Sequence, residues 1–253
     1  MEKKITKQIA DLVKVKVIAK LENYESETNY APFFSAIFDR ETIVMASLMQ
    51  SLYTTFGMSI YEQMAVILAQ SQGWTAERQY RLKGQIDQGT ENLIVRLCHS
   101  DKPNKFEELK KIRASIKPGK AEDDHMGVVD VYVRKPDGSE LFVDITTVKP
   151  NLKEFRTMRH KMLRWAALRM STDINAKVDT RIGIPYNPYH PEPYDRWTGS
   201  ECDPQGDLLV QDDLWAAFAG RDVFEDLLDT FHEVGRDIQE EVRRFIADLG
   251  KKK

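Results

Sequence analysis

The stretch GVVDVYVRKPDGSELFVDITTV, residues 127–148, decides the fold. Runs rich in valine, isoleucine, tyrosine, phenylalanine and threonine flank Pro136-Asp137-Gly138. β-Branched and aromatic side chains suit a pleated, packed surface, and Pro-Asp-Gly is a turn, so the pattern predicts an antiparallel β-hairpin. Side chains alternate along a strand. Val128, Asp130 and Tyr132 therefore share one face of the first strand, and Phe142, Asp144 and Thr146 share one face of the second. Asp130 and Asp144 interrupt otherwise apolar strands, and the turn can bring them together.

Two adjacent, half-buried carboxylates are costly without a counter-charge. Mg²⁺ would supply it, since it takes carboxylates, carbonyl oxygens, waters and substrate phosphates as ligands. Asp130, Asp144 and the Ile145 carbonyl are the candidate ligands. Spacing alone leaves a second reading open, in which both aspartates face water on an edge hairpin.

Downstream, KEFRTMRHKMLRWAALRM predicts a helix from about 153 to 170, with Phe155, Met158, Met162, Trp165 and Ala166 as its apolar stripe. Its other face is basic, with Arg156, Arg159, His160, Lys161, Arg164 and Arg169. Lys153, Arg156, Arg159, His160 and Arg164 are candidates for contact with DNA phosphates or base edges, an ordinary solvated face being the alternative. TRIGIPYNPY, at 180–189, begins as a strand and passes into a proline-rich loop that runs on to Trp197. Asn187 and Arg196 in that loop are further DNA-contact candidates, against a packed surface loop. Lys117, Lys120, Asp124 and His125 precede the hairpin and could also approach DNA.

Upstream, Ile5, Ile9, Leu12 and Val13 mark a helix over 4–23, followed by a loop at Ser26 to Ala31 and a second helix over 33–54. Gly57 is expected to break the pattern. Ser59 with Glu62 three residues on reads as a capping box opening a helix that ends near Gly73. Residues 75–120 are charged and mixed. Residues 91–98 fit a helix end or a strand, and 107–115 a short helix. A helical region over 211–248 is broken near Gly220. This order predicts an α/β (α+β) fold, a small mixed sheet flanked by helices. It would form a single domain over 1–253, with a mainly helical part at 1–75, a catalytic core at 120–200 and a C-terminal helical part at 205–250.

Composition narrows the class. The chain is 42% hydrophobic and carries a formal net charge of −3, enough for a sizeable core and without a global basic excess. Nucleic acid is not excluded, because a local basic surface neutralises phosphate. Cys98 and Cys202 form no CxxC pair, which suggests reduced thiols rather than a zinc site or a disulfide framework. The N-terminus lacks a signal-peptide core, and the apolar runs fall short of a bilayer span. A soluble cytoplasmic protein with no membrane partner is expected.

Four stretches carry a family resemblance: SLYTTFGMSIYEQMAVILA (51–69), VDVYVRKPDGSELFVDITTVKPN (129–151), IPYNPYHPEPYDRW (184–197) and WAAFAGRDVFEDLLDTFHEVG (215–235). Together they resemble the PD-(D/E)xK nuclease superfamily and, more closely, type II restriction endonucleases of the TdeIII/MjaII kind. The resemblance implies a restriction-endonuclease-like core. It implies Asp130 as the first metal-binding acid, Asp144 as the acid of the (D/E)xK element, and Glu62 as a helix glutamate that completes or orients the metal shell. Capping remains the alternative for Glu62. The motif would place lysine where Thr146 stands. A threonine hydroxyl can hold a water but cannot supply positive charge. Lys149 is the nearest replacement in sequence, if the strand ends before Pro150. The catalytic set is then Asp130, Asp144, Lys149, Glu62 and Thr146.

The resemblance further implies Mg²⁺-dependent, sequence-specific hydrolysis of double-stranded DNA, leaving 5′-phosphates. The target would be a GC-rich site of the GGNCC type, cut by a homodimer, with a cognate methyltransferase encoded nearby. The alternatives are a DNA-binding pseudoenzyme, a repair nuclease, or an interaction module built on the amphipathic helices.

Overall fold

A computed structural model describes residues 1–25, 31–100, 102–196 and 201–249. Residues 26–30 of the expected loop, Trp197 and the terminal lysines 251–253 lie outside the described residues. The chain forms two compact units, one of residues 1–64 with 223–253, the other of residues 65–222.

The first unit is helical. It holds α1 (Lys3–Glu22), α2 (Pro32–Ser35), α3 (Arg40–Thr55) and the long α10 (Phe224–Leu249). Leu21, Tyr24 and Leu48 form a core with Val242 and Phe245, and the Tyr24 and Phe245 rings meet edge-on at 6.4 Å. The expected helix at 33–54 is two helices. Asp39 starts the second, its carboxylate accepting the Thr42 N–H at 2.7 Å.

Gly57 does not break the helix. A π turn, Phe56–Tyr61, carries it into α4 (Glu62–Ser71). Ser59 is therefore inside a helix and caps nothing; Gln63 Nε2 donates to its carbonyl and its hydroxyl at 3.0 Å each. The capping reading of Glu62 falls with it. Continuity also makes Arg40–Ser71 long and apolar enough for a membrane span by length and composition alone, contrary to expectation. Only 12% of its most apolar window is buried, and a single helix of this kind is weak evidence for a span.

The second unit is built on five strands: β1 (Thr75–Lys83), β2 (Asp123–Arg134), β3 (Ser139–Ile145), β4 (Lys177–Ile184) and β5 (Leu208–Val210), in that spatial order. β1, β2 and β3 pair antiparallel, whereas β3, β4 and β5 pair parallel. The expected hairpin is β2–β3, with Val131 opposite Val143 and Tyr132 opposite Phe142. Its turn closes through Lys135 N–H to Ser139 O at 2.9 Å, with Gly138 at φ +78°, a conformation glycine adopts without a Cβ clash. β3 is the middle strand, and its residues from Glu140 to Ile145 are all buried. Asp144 thus lies in the centre of the sheet and not on an edge.

Parallel strands need a crossover, and α7 (Leu152–Thr172) provides it between β3 and β4. A capping box starts it: Asn151 Oδ1 accepts the Glu154 N–H at 3.0 Å, and Glu154 accepts the Asn151 N–H at 2.6 Å. The N-terminal half of α7 packs Phe155, Met158 and Met162 against Ile182, Ile184 and Leu208. Trp165 packs on Leu82, Val129, Tyr132 and Phe142. On its far flank Leu163, Ala167 and Met170 meet Ile94 and Leu97 of α5 (Gln88–Cys98) and Ile112 of α6 (Lys105–Ser115). Burying each large apolar side chain is worth about 1.5–3 kcal/mol, so α7 is the element that fixes the sheet. α8 (Pro204–Asp207) leads into β5. α9 (Asp212–Ala219) ends at Gly220, φ +69°. β1 was not anticipated, and β5 falls in a stretch expected to be helical.

Candidate active site

The hairpin ladder stops one step short of the two aspartates. Beyond the Val131–Val143 pair, Ile145 N–H donates to Asp130 Oδ2 at 3.0 Å. A side chain has taken over a backbone bond, which ties the Asp130 carboxylate to the residue after Asp144. Residues opposite one another in an antiparallel pair project to the same face. Continuing the register past Val131–Val143 sets Asp130 opposite Asp144 on one face of the hairpin, and Asp144 is only 7% exposed.

Its partner comes from α7. Lys161 Nζ donates to Asp144 Oδ1 at 2.6 Å. The ammonium also lies 4.8 Å from the centroid of the Trp165 ring, one helical turn on. Trp165 is itself fixed, its Nε1–H donating to Met126 O at 2.8 Å. Two openings border this cluster. Asp144, Ile145, Thr146, Lys153 and Thr157 line one, and Gln79, His125, Asp130 and Lys161 line the other.

Sequence reasoning placed Lys161 on the basic face without linking it to Asp144, and missed Gln79. Nothing in sequence spacing announces a contact between helix position 161 and strand position 144. Gln79 lies in β1 between the Arg78–Val131 and Tyr80–Val129 pairs, across from Asp130, and its φ is +50°. A left-handed residue inside a strand stores about 1–3 kcal/mol, the kind of strain that gathers at functional sites.

Thr146 is half-buried, and its N–H donates to Gly183 O at 3.0 Å. The strand does end before Pro150, as a role for Lys149 requires. Lys149 itself is exposed, with its ammonium 5.6 Å from the centroid of the Tyr189 ring. Glu62 is 2% exposed and belongs to the other unit.

The basic face of α7 divides sharply. Arg159 was expected to meet DNA, but it is 1% exposed and bonded to Glu108 at 2.5 Å, Leu97 O at 2.9 Å and Asp207 at 3.2 Å. It sits on the apolar stripe, one turn beyond Phe155, and closes a buried network; DNA contact is excluded for it. Lys105 completes the network, donating to Asp207 at 2.7 Å and Thr180 O at 2.9 Å. Burial alone would raise the Asp207 carboxyl. The Lys105 ammonium, the Asp203 N–H and Arg159 together hold it below the ordinary range.

Arg164 is paired with Glu91 and, at 2.6 Å, with Asp124, and His160 shares Glu91 at 3.2 Å. Burial pushes the Asp124 carboxyl up, but Arg164 and the Met126 N–H outweigh it and hold it low. Arg156 makes a two-pronged, solvent-exposed pair with Glu201 at 2.9 and 3.1 Å. Lys153 is exposed beside Asp144 and has no ion-pair partner among the described residues. Lys117 pairs with Asp87 at 3.0 Å.

The proline loop is tied inward. Asn187 Nδ2 donates to Glu192 O at 2.7 Å, and its Oδ1 accepts the Tyr189 N–H at 3.0 Å. Arg196 Nε donates to Pro150 O at 2.7 Å, and the Tyr194 hydroxyl to Val148 O at 3.1 Å. These bonds brace the segment that follows β3, so both DNA-contact candidates of this loop have packing roles.

No group of three or more His, Cys, Asp or Glu side chains that could hold a metal occurs among the described residues. That composition does not suit zinc. Asp130, Asp144 and the Ile145 carbonyl are oxygen donors of the type hard divalent cations take. The Lys161 ammonium on Asp144 shows that the pair already draws positive charge.

The family model "Type II restriction endonuclease, HinfI" matches residues 1–235. The chain belongs to the HinfI family of type II restriction endonucleases. It is 28% identical to the type II restriction enzyme MjaII of Methanocaldococcus jannaschii over 215 residues, 78% of this chain. It is 23% identical to the type II restriction enzyme HgiCII of Herpetosiphon aurantiacus over 237 residues, 87% of this chain. The matched region spans 58% of the length of MjaII and 82% of that of HgiCII. The five-stranded mixed sheet flanked by helices is the restriction-endonuclease-like fold the sequence led us to expect.

Proposed function

We propose that this protein is a sequence-specific endonuclease that hydrolyses double-stranded DNA with Mg²⁺ held at Asp130 and Asp144. One observation carries the reading: in a HinfI-family chain, Asp130 accepts the N–H of the residue after Asp144 where the β2–β3 ladder stops, and an opening lies beside each carboxylate. Asp130, Asp144 and the Ile145 carbonyl would hold the cation. When bound, it would stabilise charge developing on the phosphate and favour ionisation of the attacking water.

The chain's own groups would do the rest. Asp144 and Asp130 set the direction of approach. The Thr146 hydroxyl can hydrogen-bond the attacking water. Lys153, exposed beside Asp144, is the α7 side chain best placed to meet the neighbouring backbone phosphate. The water oxygen bonds to phosphorus, the P–O3′ bond breaks, and the 3′ oxygen takes up a proton to leave a 3′-hydroxyl and a 5′-phosphate. Glu62 remains a candidate for the metal shell; its burial and its place at the end of a π turn, a feature frequent at functional sites, support that.

A homodimer fits a two-fold DNA site. The exposed Phe33, Phe34 and Ile37 give the helical unit an apolar surface of the kind subunit contacts use. Likeness to the type II restriction enzymes MjaII and HgiCII supports a restriction role; a cytoplasmic setting, a cognate methyltransferase encoded nearby and a GGNCC-type target complete the proposal. Thr146 at the motif lysine's place favours a second reading, a pseudoenzyme that binds DNA without cutting it. Digestion of unmethylated plasmid with Mg²⁺ and with EDTA separates the two. Discrete fragments with Mg²⁺ alone support the nuclease; DNA binding without any cleavage supports the pseudoenzyme.

A further inference from the structure

We infer that Lys161 supplies the positive charge that Thr146 cannot, so that the lysine of this active site comes from α7 and not from β3 or from Lys149. The inference rests on the nuclease reading above and goes beyond it by assigning the charge at the reacting phosphate. Its basis is position. The motif lysine would stand two residues after Asp144, on the same face of the strand. The Lys161 ammonium is at that face already, 2.6 Å from Asp144 Oδ1, and lines the same opening as Asp130.

Its setting is that of a placed group. Trp165 is fully buried and locked through Met126 O, and it supports the ammonium from one side. The Lys161 side chain keeps 25% exposure, enough to reach a phosphate that enters the opening. Lys149 has no such setting: it is exposed, and its ammonium lies 5.6 Å from the centroid of the Tyr189 ring. Other basic groups of α7 are committed elsewhere: Arg159 to Glu108 and Asp207, and Arg164 to Glu91 and Asp124.

In this arrangement the Lys161 ammonium touches a non-bridging oxygen of the scissile phosphate as the water–phosphorus bond forms and the P–O3′ bond breaks. It keeps all its protons throughout. Without substrate it neutralises Asp144, which explains how a carboxylate 7% exposed is tolerated in the central strand.

The test compares the wild type with Lys161→Met, Lys161→Ala, Lys149→Ala and the double variant Lys161→Met/Thr146→Lys. Three quantities are measured on each: single-turnover plasmid cleavage, DNA binding in Ca²⁺ by fluorescence anisotropy, and Mn²⁺ binding to the protein alone. Lys161→Met is expected to slow cleavage by about 100-fold or more, with DNA affinity within about threefold of wild type. Its Mn²⁺ affinity should be unchanged or tighter, because a competing cation has left Asp144. Adding Thr146→Lys should recover at least about tenfold of the lost rate, which a merely structural lysine would not allow. Lys149→Ala should cut normally.

Lys161→Met cutting at the wild-type rate overturns the inference while leaving the nuclease reading intact. So does Lys149→Ala losing cleavage while Lys161→Met keeps it. Loss of the folding transition in both Lys161 variants would make Lys161 a structural ion-pair residue and overturn it too. A folded wild type that cuts nothing with any divalent cation overturns both readings.

Discussion

Arg159 and Lys161 stand two residues apart on α7, and both are ion-paired to aspartate, yet they do different work. Arg159 is sealed in, with Glu108, Asp207 and the Leu97 carbonyl around it. Lys161 has one carboxylate partner, one aromatic neighbour and an opening beside it. The difference lies in what else can reach the charge. A charge surrounded by fixed partners holds elements together, because removing any partner strands the others in low dielectric. A charge with one partner and an open side can exchange it for a ligand. Two residues of helix rotation, about 200°, separate a lock from a candidate catalytic group.

The largest expected effect on folding tests that contrast. Arg159→Met should destabilise the protein by about 3–5 kcal/mol, since it leaves Glu108 unpaired and Asp207 half-compensated in the interior. Lys161→Met should cost clearly less than Arg159→Met, because the Lys161 side of its pair is partly open to water and Asp144 can draw on that water. Urea melts of both would settle the matter, and equal losses would erase the distinction.

Acid sharpens the contrast next. Asp207 and Asp124 both have carboxyls held below the ordinary 3.8. A depressed folded pKa contributes stability that is complete above the unfolded value and drains as pH falls through the folded one. The melting temperature should therefore fall as pH drops below about 4, and the fall should be smaller in Asp207→Asn. A melting temperature flat from neutrality to pH 2.5 would contradict the network's role.

A smaller effect is expected at the strained residue beside the site. Gln79→Gly relieves the left-handed conformation and should raise stability by up to about 1 kcal/mol while slowing cleavage. A variant both less stable and fully active would remove Gln79 from the site. The smallest effect belongs to the rim of α7. Arg156→Ala breaks an exposed pair with Glu201 and should leave the urea midpoint nearly unchanged, with any small shift vanishing at high salt.

Much of this was legible in the residues. The hairpin, its Pro-Asp-Gly turn, the α7 stripe and the glycines that end α4 and α9 follow from period and turn chemistry. Asp130 and Asp144 stood out because a carboxylate among valines is anomalous. β1 did not stand out, because an edge strand such as Thr75–Lys83 alternates charged residues and buries only Ala76 and Leu82 deeply. β5, Leu208–Val210, is too short to show a period. Gly57 misled because a π turn accommodates it without ending the helix. Arg159 carried a signal that was there to use: it falls with Phe155 and Met162 at helical spacing, on the face that meets the core. Lys161 showed only as one cation of the basic face, with nothing to link it to Asp144. Its meaning depends on where α7 lies over β3, which tertiary packing decides.

The central claim is that the Asp130–Asp144 pair is the seat of metal-dependent DNA cleavage. The most direct measurement is single-turnover cleavage of unmethylated plasmid in Mg²⁺ by the wild type and by Asp144→Asn, with thermal melts run alongside. The expected result is discrete fragments from the wild type and a rate lower by about 100-fold or more from a folded Asp144→Asn chain. A folded Asp144→Asn chain that yields the same fragments at the same rate would contradict it.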